Sequence, residues 1–267
     1  PGDMIEGSKI KHGERVVTVD DLLISSQFIA SIDEAMTHYD YRGTYSKEAG
    51  NVLSNTADKN IARIVAKAAT VTDATTAQTT LGASFDDETY TNNVTIGTVP
   101  TDAADGTKIV QAIYAALEEF DKKNVDGEKV CVLPPEQYYA LFNVGGGVNN
   151  LAYMNRDVGG SGSIASGQVP VIGGVRIMMS NHIPSTDETS GTGLEPITSS
   201  RTQAYRGDYS DLKGLIFTKD AAATVKLKDL AVESEYQIER QGTLMVAKYA
   251  MGHNILRPAC AIALQSA

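Results

Sequence analysis

A long run of helical periodicity constrains the fold of this chain more than any other feature of its sequence. Apolar residues recur at spacings of three, four and seven between positions 45 and 68, which is the pattern of a helix with one buried face. The pattern predicts a helix over about 41–67, weakened locally by Gly43 and Gly50. At 1.5 Å per residue this helix would be roughly 40 Å long, so we expect it to cross the whole subunit as a scaffold.

The remaining segments alternate between short strands and helices at irregular spacing. A second amphipathic helix is predicted over about 107–123, with Asp105 or Thr107 as its N-cap. A short helix should follow Pro134-Pro135 and end near position 142. Gly173-Gly174 between two apolar runs predicts a hairpin. Strands are expected at 16–19, 22–24, 93–98, 129–133, 169–172, 175–179, 213–218, 224–227, 244–251 and 260–264. The irregular order favours an α+β fold over a doubly wound one.

The charge balance limits the classes of partner. The formal net charge is −10 and the basic residues are scattered, whereas sequence-independent nucleic-acid binders cluster Lys and Arg against phosphates. An acidic container for DNA remains compatible, because a lining that repels phosphate lets the DNA move. No apolar run approaches the roughly 18–20 residues of a membrane span. Cys131 and Cys260 are far apart and are expected to be buried, reduced thiols, which suits assembly in the cytosol.

No motif for catalysis, cofactor binding or metal binding has the neighbouring residues and spacing that its chemistry requires. Gly160–Ala165 matches a dinucleotide fingerprint, but polar residues precede it and Pro170 follows too soon for the required helix. Arg206-Gly207-Asp208 is interpreted as a chance turn, and Asp86-Asp87-Glu88 as a solvated acidic turn. The histidines are too widely separated for a metal site: His12, His38, His182 and His253. We therefore expect no catalytic residue, no cofactor and no metal.

Two stretches have a specific resemblance to a known family. The first runs from Ile32 to Arg42, preceded by Lys11-His12 and by residues 19–23. The second runs from Thr224 to Ala231 and continues through 248–253 to Leu256-Arg257-Pro258. In this order and at this separation, they resemble the major capsid proteins of short-tailed phages related to coliphage T-seven. The two stretches bracket nearly the whole chain.

The resemblance implies the Hong Kong 97-type phage capsid fold, with a long spine helix, a peripheral domain and an axial domain. It implies that residues 1–24 are the second half of the E-loop and its descending strand. Residues 25–104 would be the peripheral domain with the spine helix and a surface insertion, 105–222 the axial domain, and 223–267 the returning strands of the peripheral domain. Because the chain starts at Pro1, the N-terminal arm and the outgoing half of the E-loop are expected to precede it.

The resemblance also implies a function. The chain would be a non-enzymatic major capsid protein that forms the pentamers and hexamers of an icosahedral head around double-stranded DNA, without sequence-specific binding and without a membrane. Its expected partners are further copies of itself, a scaffolding protein and a portal protein, with a cement or decoration protein as a further candidate. Its expected location is the virion capsid, after assembly in the host bacterial cytoplasm.

Two sets of residues are candidate assembly sites. Basic residues of the E-loop segment, Lys9, Lys11 and Arg15, are predicted to pair with Glu48 or Asp58 on the long helix of an adjacent subunit. A flexible glycine-rich loop is predicted near the capsomer axis, with the residues Gly145, Gly146, Gly147, Gly159, Gly160 and Gly162.

Three alternative functions stay open at this point. An encapsulin-type nanocompartment shell would share the fold but enclose an enzyme. A soluble enzyme with an unrecognised site would form only small oligomers, so its mass separates it from a shell protein. A tail or decoration subunit is the third alternative.

Overall fold

The computed structural model describes residues 15–20, 22–36, 41–71, 91–141, 171–189 and 205–267. Four α-helices lie within these ranges: α1 (Ser31–Met36), α2 (Tyr41–Ala68), α3 (Gly106–Lys122) and α4 (Pro135–Ala140). The strands of the same ranges are β1 (Leu23–Ala30), β2 (Asn93–Ile96), β3 (Val130–Leu133), β4 (Val171–Ile172), β5 (Val175–Met179), β6 (Leu212–Phe217), β7 (Ala222–Gln237), β8 (Gly242–Ile255) and β9 (Ala261–Ser266).

A mixed six-stranded sheet forms the larger layer, with the strand order β2-β9-β6-β3-β5-β4. β2 pairs with β9, and β3 with β5, in parallel, whereas the other neighbours are antiparallel. The hairpin of β4 and β5 turns at Gly173 and Gly174, whose φ angles are 57° and 82°. Glycine adopts positive φ without steric cost, so the predicted hairpin is confirmed.

The main hydrophobic core lies between this sheet and two helices. α3 buries Ile109, Ile113 and Phe120 completely, and the C-terminal half of α2 adds Ile64 and Val65. The start of α3 is capped as predicted, since Asp105 Oδ1 accepts a hydrogen bond of 2.8 Å from Thr107 N–H. The predicted helix at 107–123 is therefore confirmed to within one residue at each end.

The N-terminal half of α2 extends from this core to a separate three-stranded antiparallel sheet. The sheet has the order β1-β8-β7, and we call it the extended sheet. Ala49 and Leu53 of α2 form a small core with Ala247 and Tyr249 of β8. With 28 residues, α2 is about 42 Å long. The predicted long helix is therefore confirmed, and it connects the two sheets.

The long strand β7 differs from prediction. The sequence predicts a short strand over 224–227, whereas β7 has 16 residues. Charged residues such as Lys228 and Glu233 interrupt the apolar pattern expected of a strand. They are tolerated because β7 is an edge strand and most of its residues are exposed. The last segment, 223–267, contributes strands to both sheets.

Candidate subunit interface

The two faces of the extended sheet differ in their environment. Along β8, Met245, Ala247 and Tyr249 are buried on the face that α2 covers. Leu244 and Val246, which point to the opposite face, are only half-buried. Because side chains alternate along a strand, one face of the sheet is a core surface and the other is open in the described part of the subunit.

The open face has an apolar band that continues onto β1. Phe28 of β1 lies opposite Leu244, and Ile24 lies opposite Lys248. Phe28 and Ile24 are 42% and 56% exposed. An exposed apolar band of this kind is typical of a surface that another chain covers.

The outer edge of the sheet is β7, which exposes several large apolar side chains. Leu227 is 70% exposed and Tyr236 is 51% exposed, and Val225, Leu230 and Val232 are each more than 40% exposed. A long edge strand of this kind is a ready template for contact with another chain. The edge and the open face together form a candidate interface.

The charges on the extended sheet have both signs. Lys248 Nζ lies 2.6 Å from Glu233 Oε2 on the open face, and Lys226 Nζ lies 3.5 Å from Asp229 Oδ1 near the outer edge. Exposed pairs of this kind contribute about 0–1 kcal/mol to the stability of one subunit. Their larger effect is to select the orientation of a partner with a complementary charge pattern.

A groove of about 290 Å³ lies between α2 and β7, and we call it the α2–β7 groove. Its apolar lining includes Leu53, Ala57, Ile61, Leu230 and Met251. Tyr249 also lines it and is 3% exposed. Burial, and to a smaller extent Asp20, raises the pKa of Tyr249 to about 12, so this phenol is a hydrogen-bond donor at neutral pH.

A polar junction connects the segment before β1 to β8 and to Tyr205. Asp20 N–H donates to Met251 O at 3.0 Å, and the Asp20 carboxylate accepts a hydrogen bond from the Tyr205 hydroxyl. His253, which is 3% exposed, lies 2.9 Å from Thr224 Oγ1 through Nδ1. Burial lowers the pKa of His253. The junction therefore fixes the position of Asp20 relative to β8.

The predicted ionic residues that the structure describes lie on different parts of the subunit. Glu48 is exposed on α2. Asp58 is exposed on α2 as well, and its Oδ2 lies 3.7 Å from His182 Nδ1 of the same chain. Arg15 is partly buried, and burial lowers the pKa of its guanidinium. The structure of a single subunit does not test ionic contacts between subunits. The pairing of Arg15 with Glu48 or Asp58 of a neighbour stays a prediction.

The other predicted site residues lie outside the described residues. They are Lys9 and Lys11 of the N-terminal segment, and Gly145, Gly146, Gly147, Gly159, Gly160 and Gly162 of the glycine-rich loop.

Sequence reasoning missed the outer edge and the α2–β7 groove. The only local signal was the alternation of apolar and charged residues in Val225-Lys226-Leu227-Lys228, which predicted a strand but not its exposure. The groove is assembled from residues near 57, 228 and 251, which are too far apart in sequence to be recognised together.

The described ranges give no positive sign of a metal site or a membrane span. Within them, no group of three or more His, Cys, Asp or Glu side chains is arranged to bind a metal ion. None of the helices in these ranges is both long and apolar enough to cross a bilayer.

Solved phage capsids have the same architecture. The chain is similar to the capsid protein of cyanophage P-SCSP1u, with a TM-score of 0.81 and 35% identity, covering 100% of this chain and 78% of that one. The mature capsid of bacteriophage PhiM1 shares the fold with a TM-score of 0.72 and 18% identity, over 100% of this chain and 77% of that one. The fold and the uncovered sheet thus define a tailed-phage capsid subunit of the Hong Kong 97 type.

Sequence comparison identifies the family. A family model described as "Gp10A-like: Major capsid protein" matches residues 1–265. The major capsid protein of Escherichia phage T7 is 29% identical, over 98% of this chain and 76% of that protein. The major capsid protein of Enterobacteria phage T3 is 26% identical, over 99% of this chain and 77% of that protein. The chain belongs to the Gp10A-like family of major capsid proteins.

This membership confirms the main interpretation of the sequence. The protein is a structural subunit of the virion capsid of a short-tailed phage of the T7 and T3 kind, and it is not an enzyme. It assembles with further copies of itself into a shell. The comparisons favour a phage capsid over a nanocompartment shell.

Proposed function

We propose that this chain forms the pentamers and hexamers of an icosahedral head that encloses double-stranded DNA. The observation that supports this proposal is the extended sheet, whose edge strand β7 and open face expose apolar side chains to solvent. Burial of such a surface is the main driving force for association between subunits. The net charge of −10 suits a wall that encloses DNA without binding a particular sequence.

The same negative charge implies that assembly of the shell depends on a scaffolding protein and on salt concentration. Subunits of like charge repel one another over a Debye length of about 8–10 Å near physiological ionic strength. A scaffolding protein that brings subunits together would offset this repulsion, and a portal protein would occupy one vertex. A cement or decoration protein is a further partner of the same proposal. The buried, free thiols Cys131 and Cys260 are compatible with assembly in the reducing cytoplasm of the host.

The ionic contacts of the N-terminal segment belong to this proposal. Lys9, Lys11 and Arg15 of one subunit would pair with Glu48 or Asp58 on helix α2 of its neighbour. The exposure of both carboxylates supports this pairing. Lys11→Glu should lower shell yield and the melting temperature of the shell, and Glu48→Lys should restore part of the loss. Lys219→Glu, a charge reversal at another exposed lysine, is the control. Unchanged yield and stability in Lys11→Glu would remove Lys11 from the interface.

The division of the subunit is proposed from the family resemblance. Residues 1–24 would belong to the E-loop, 25–104 and 223–267 to the peripheral domain, and 105–222 to the axial domain. The loop with Gly145, Gly146, Gly147, Gly159, Gly160 and Gly162 would lie at the capsomer axis. There the conformational freedom of glycine would allow both five-fold and six-fold packing.

Electron microscopy tests the proposed function directly. The full-length protein should be co-expressed with the scaffolding protein of its phage and separated by velocity sedimentation. Closed icosahedral particles of uniform diameter are the expected result. Small discrete oligomers, under conditions in which a related capsid protein forms shells, would contradict the proposal.

A further inference from the structure

The turn between β7 and β8 presents a single apolar side chain at its tip. The turn spans residues 238–241, and Ile238 is 74% exposed. Gln241 orders the turn, because its Nε2 donates to Ile238 O at 2.8 Å and its Oε1 accepts from the Tyr236 hydroxyl at 3.3 Å. A turn that is ordered in the free subunit loses little entropy when it binds, so Ile238 is well placed to enter a pocket of another chain.

The α2–β7 groove has the apolar lining that such a side chain requires. Leu53, Ala57 and Leu230 line it from both sides. Tyr249 adds a polar group, because its buried hydroxyl has no hydrogen-bond partner within the part of the chain that the structure describes. Buried hydroxyls are usually hydrogen-bonded, so this hydroxyl is an unsatisfied polar atom in the wall of the groove.

The charges of the groove and the tip are complementary. Lys226 and Asp229 are neighbours at the groove, with 3.5 Å between Lys226 Nζ and Asp229 Oδ1. The tip has one acidic and one basic residue in succession, Glu239 and Arg240, and both are exposed. A paired contact of Glu239 with Lys226 and of Arg240 with Asp229 matches both signs. Such a match selects partner and orientation more than it raises affinity.

The tip and the groove of one subunit cannot meet each other. Leu230 lies in β7 and Ile238 begins the turn that follows it. They are eight residues apart, which corresponds to about 26 Å of extended chain. A contact between tip and groove would therefore join two copies, with a different surface from each. Contacts of this heterologous kind generate closed rings when the rotation between subunits allows it.

We propose that the tip of one subunit inserts Ile238 into the α2–β7 groove of a neighbouring subunit, with Glu239 against Lys226 and Arg240 against Asp229. The proposal rests on the proposed function, since it describes one contact within the shell. Removal of a buried isoleucine side chain should weaken each contact by about ten- to a hundredfold. Ile238→Ala should therefore reduce shell yield strongly, whereas Val99→Ala, at another exposed apolar residue, should not.

Disulfide trapping tests the geometry. The double variant Leu230→Cys/Ile238→Cys should form a ladder of covalently linked subunits when assembled shells are oxidised and run on a non-reducing gel. The native cysteines Cys131 and Cys260 are buried and should not contribute to the ladder. A mixture of the two single variants should give dimers and nothing larger. Dimers from Ile238→Cys alone would indicate a contact between two tips and would overturn the proposal.

Charge reversal provides a second, independent test. Lys226→Glu and Glu239→Lys should each lower shell yield, and the double variant should recover most of it. Intact shells of the cysteine variant that show no ladder would overturn this contact and leave the proposed function standing. Failure of the wild-type protein to form shells under the same conditions would instead contradict the proposed function.

Discussion

Arg63 of α2 makes a bidentate ion pair with Glu188. Arg63 Nε lies 2.7 Å from Glu188 Oε2, and Arg63 Nη2 lies 3.0 Å from Glu188 Oε1. The third nitrogen of the guanidinium, Nη1, donates to Asn60 Oδ1 at 3.1 Å. The side chains of Arg63 and Glu188 are only 10% and 19% exposed. The segment around Glu188 is therefore attached to the long helix by a largely desolvated charge pair.

Glu188→Ala should destabilise the subunit. The substitution leaves the Arg63 guanidinium buried without its anion, and such a loss typically costs about 3–5 kcal/mol. Calorimetry of purified shells should show a lower melting temperature than that of the wild type. Arg63→Met/Glu188→Leu, which removes both charges, should recover much of the difference because neither charge is then left alone. A double variant as unstable as Glu188→Ala would contradict this account.

The regular elements of the fold were largely predictable from local patterns. The stripe that predicts α2 and the glycine pair that predicts the β4–β5 turn both depend on residues close in sequence. The length of β7 was not predictable, because the alternation of apolar and charged residues that indicates a strand is clear only over 225–228. Because β7 is exposed over most of its residues, no buried face requires apolar residues at every second position of the strand.

The tip and the α2–β7 groove were not predictable from the sequence, and the predicted ionic contacts stay a prediction. The resemblance directed attention to the N-terminal segment and to Glu48 and Asp58 of α2, but the tip at Ile238 gave no local signal. A single isoleucine in a polar turn is unremarkable until the structure shows 74% exposure. The partner groove combines α2, β7 and β8, so it exists only after long-range folding.

Acid should destabilise the subunit through His253. Burial lowers the pKa of His253 below its ordinary value of 6.5, and Asp20 opposes this only in part. The unfolded chain therefore binds a proton at a higher pH than the folded subunit does, so the free energy of unfolding falls as the pH drops below about 6.5. His253→Gln should lose less stability than the wild type between pH 7 and pH 5, as measured by melting temperature. Parallel curves for the two proteins would contradict this role.

Alkaline pH should raise the free energy of unfolding of the subunit through Lys123. Its Nζ donates to Thr91 O at 2.6 Å and to Asn92 Oδ1 at 2.5 Å, and burial lowers the Lys123 pKa to about 8. Between about pH 8 and the ordinary value of 10.5, the unfolded chain binds the proton more strongly, so this residue makes stability rise with pH. The melting temperature of the wild type, relative to that of Lys123→Met, should increase across this window. A constant difference would show that Lys123 does not titrate there.

Two glycine substitutions should have opposite effects on stability. A Cβ atom at Gly252 of β8 would overlap the carbonyl oxygen of Thr18 and lie 2.8 Å from Val19 Cα. Gly252→Ala should therefore displace the segment before β1, with a loss of about 1–3 kcal/mol for an overpacked site. At Gly50 of α2, the added Cβ would meet Leu230 Cδ2 at 3.8 Å, an ordinary contact. Gly50→Ala should stabilise the helix by roughly 0.5–1 kcal/mol, because alanine loses less backbone entropy on folding. Thermal unfolding of both variants under one condition tests the pair, and equal shifts of the same sign would contradict the packing at Thr18.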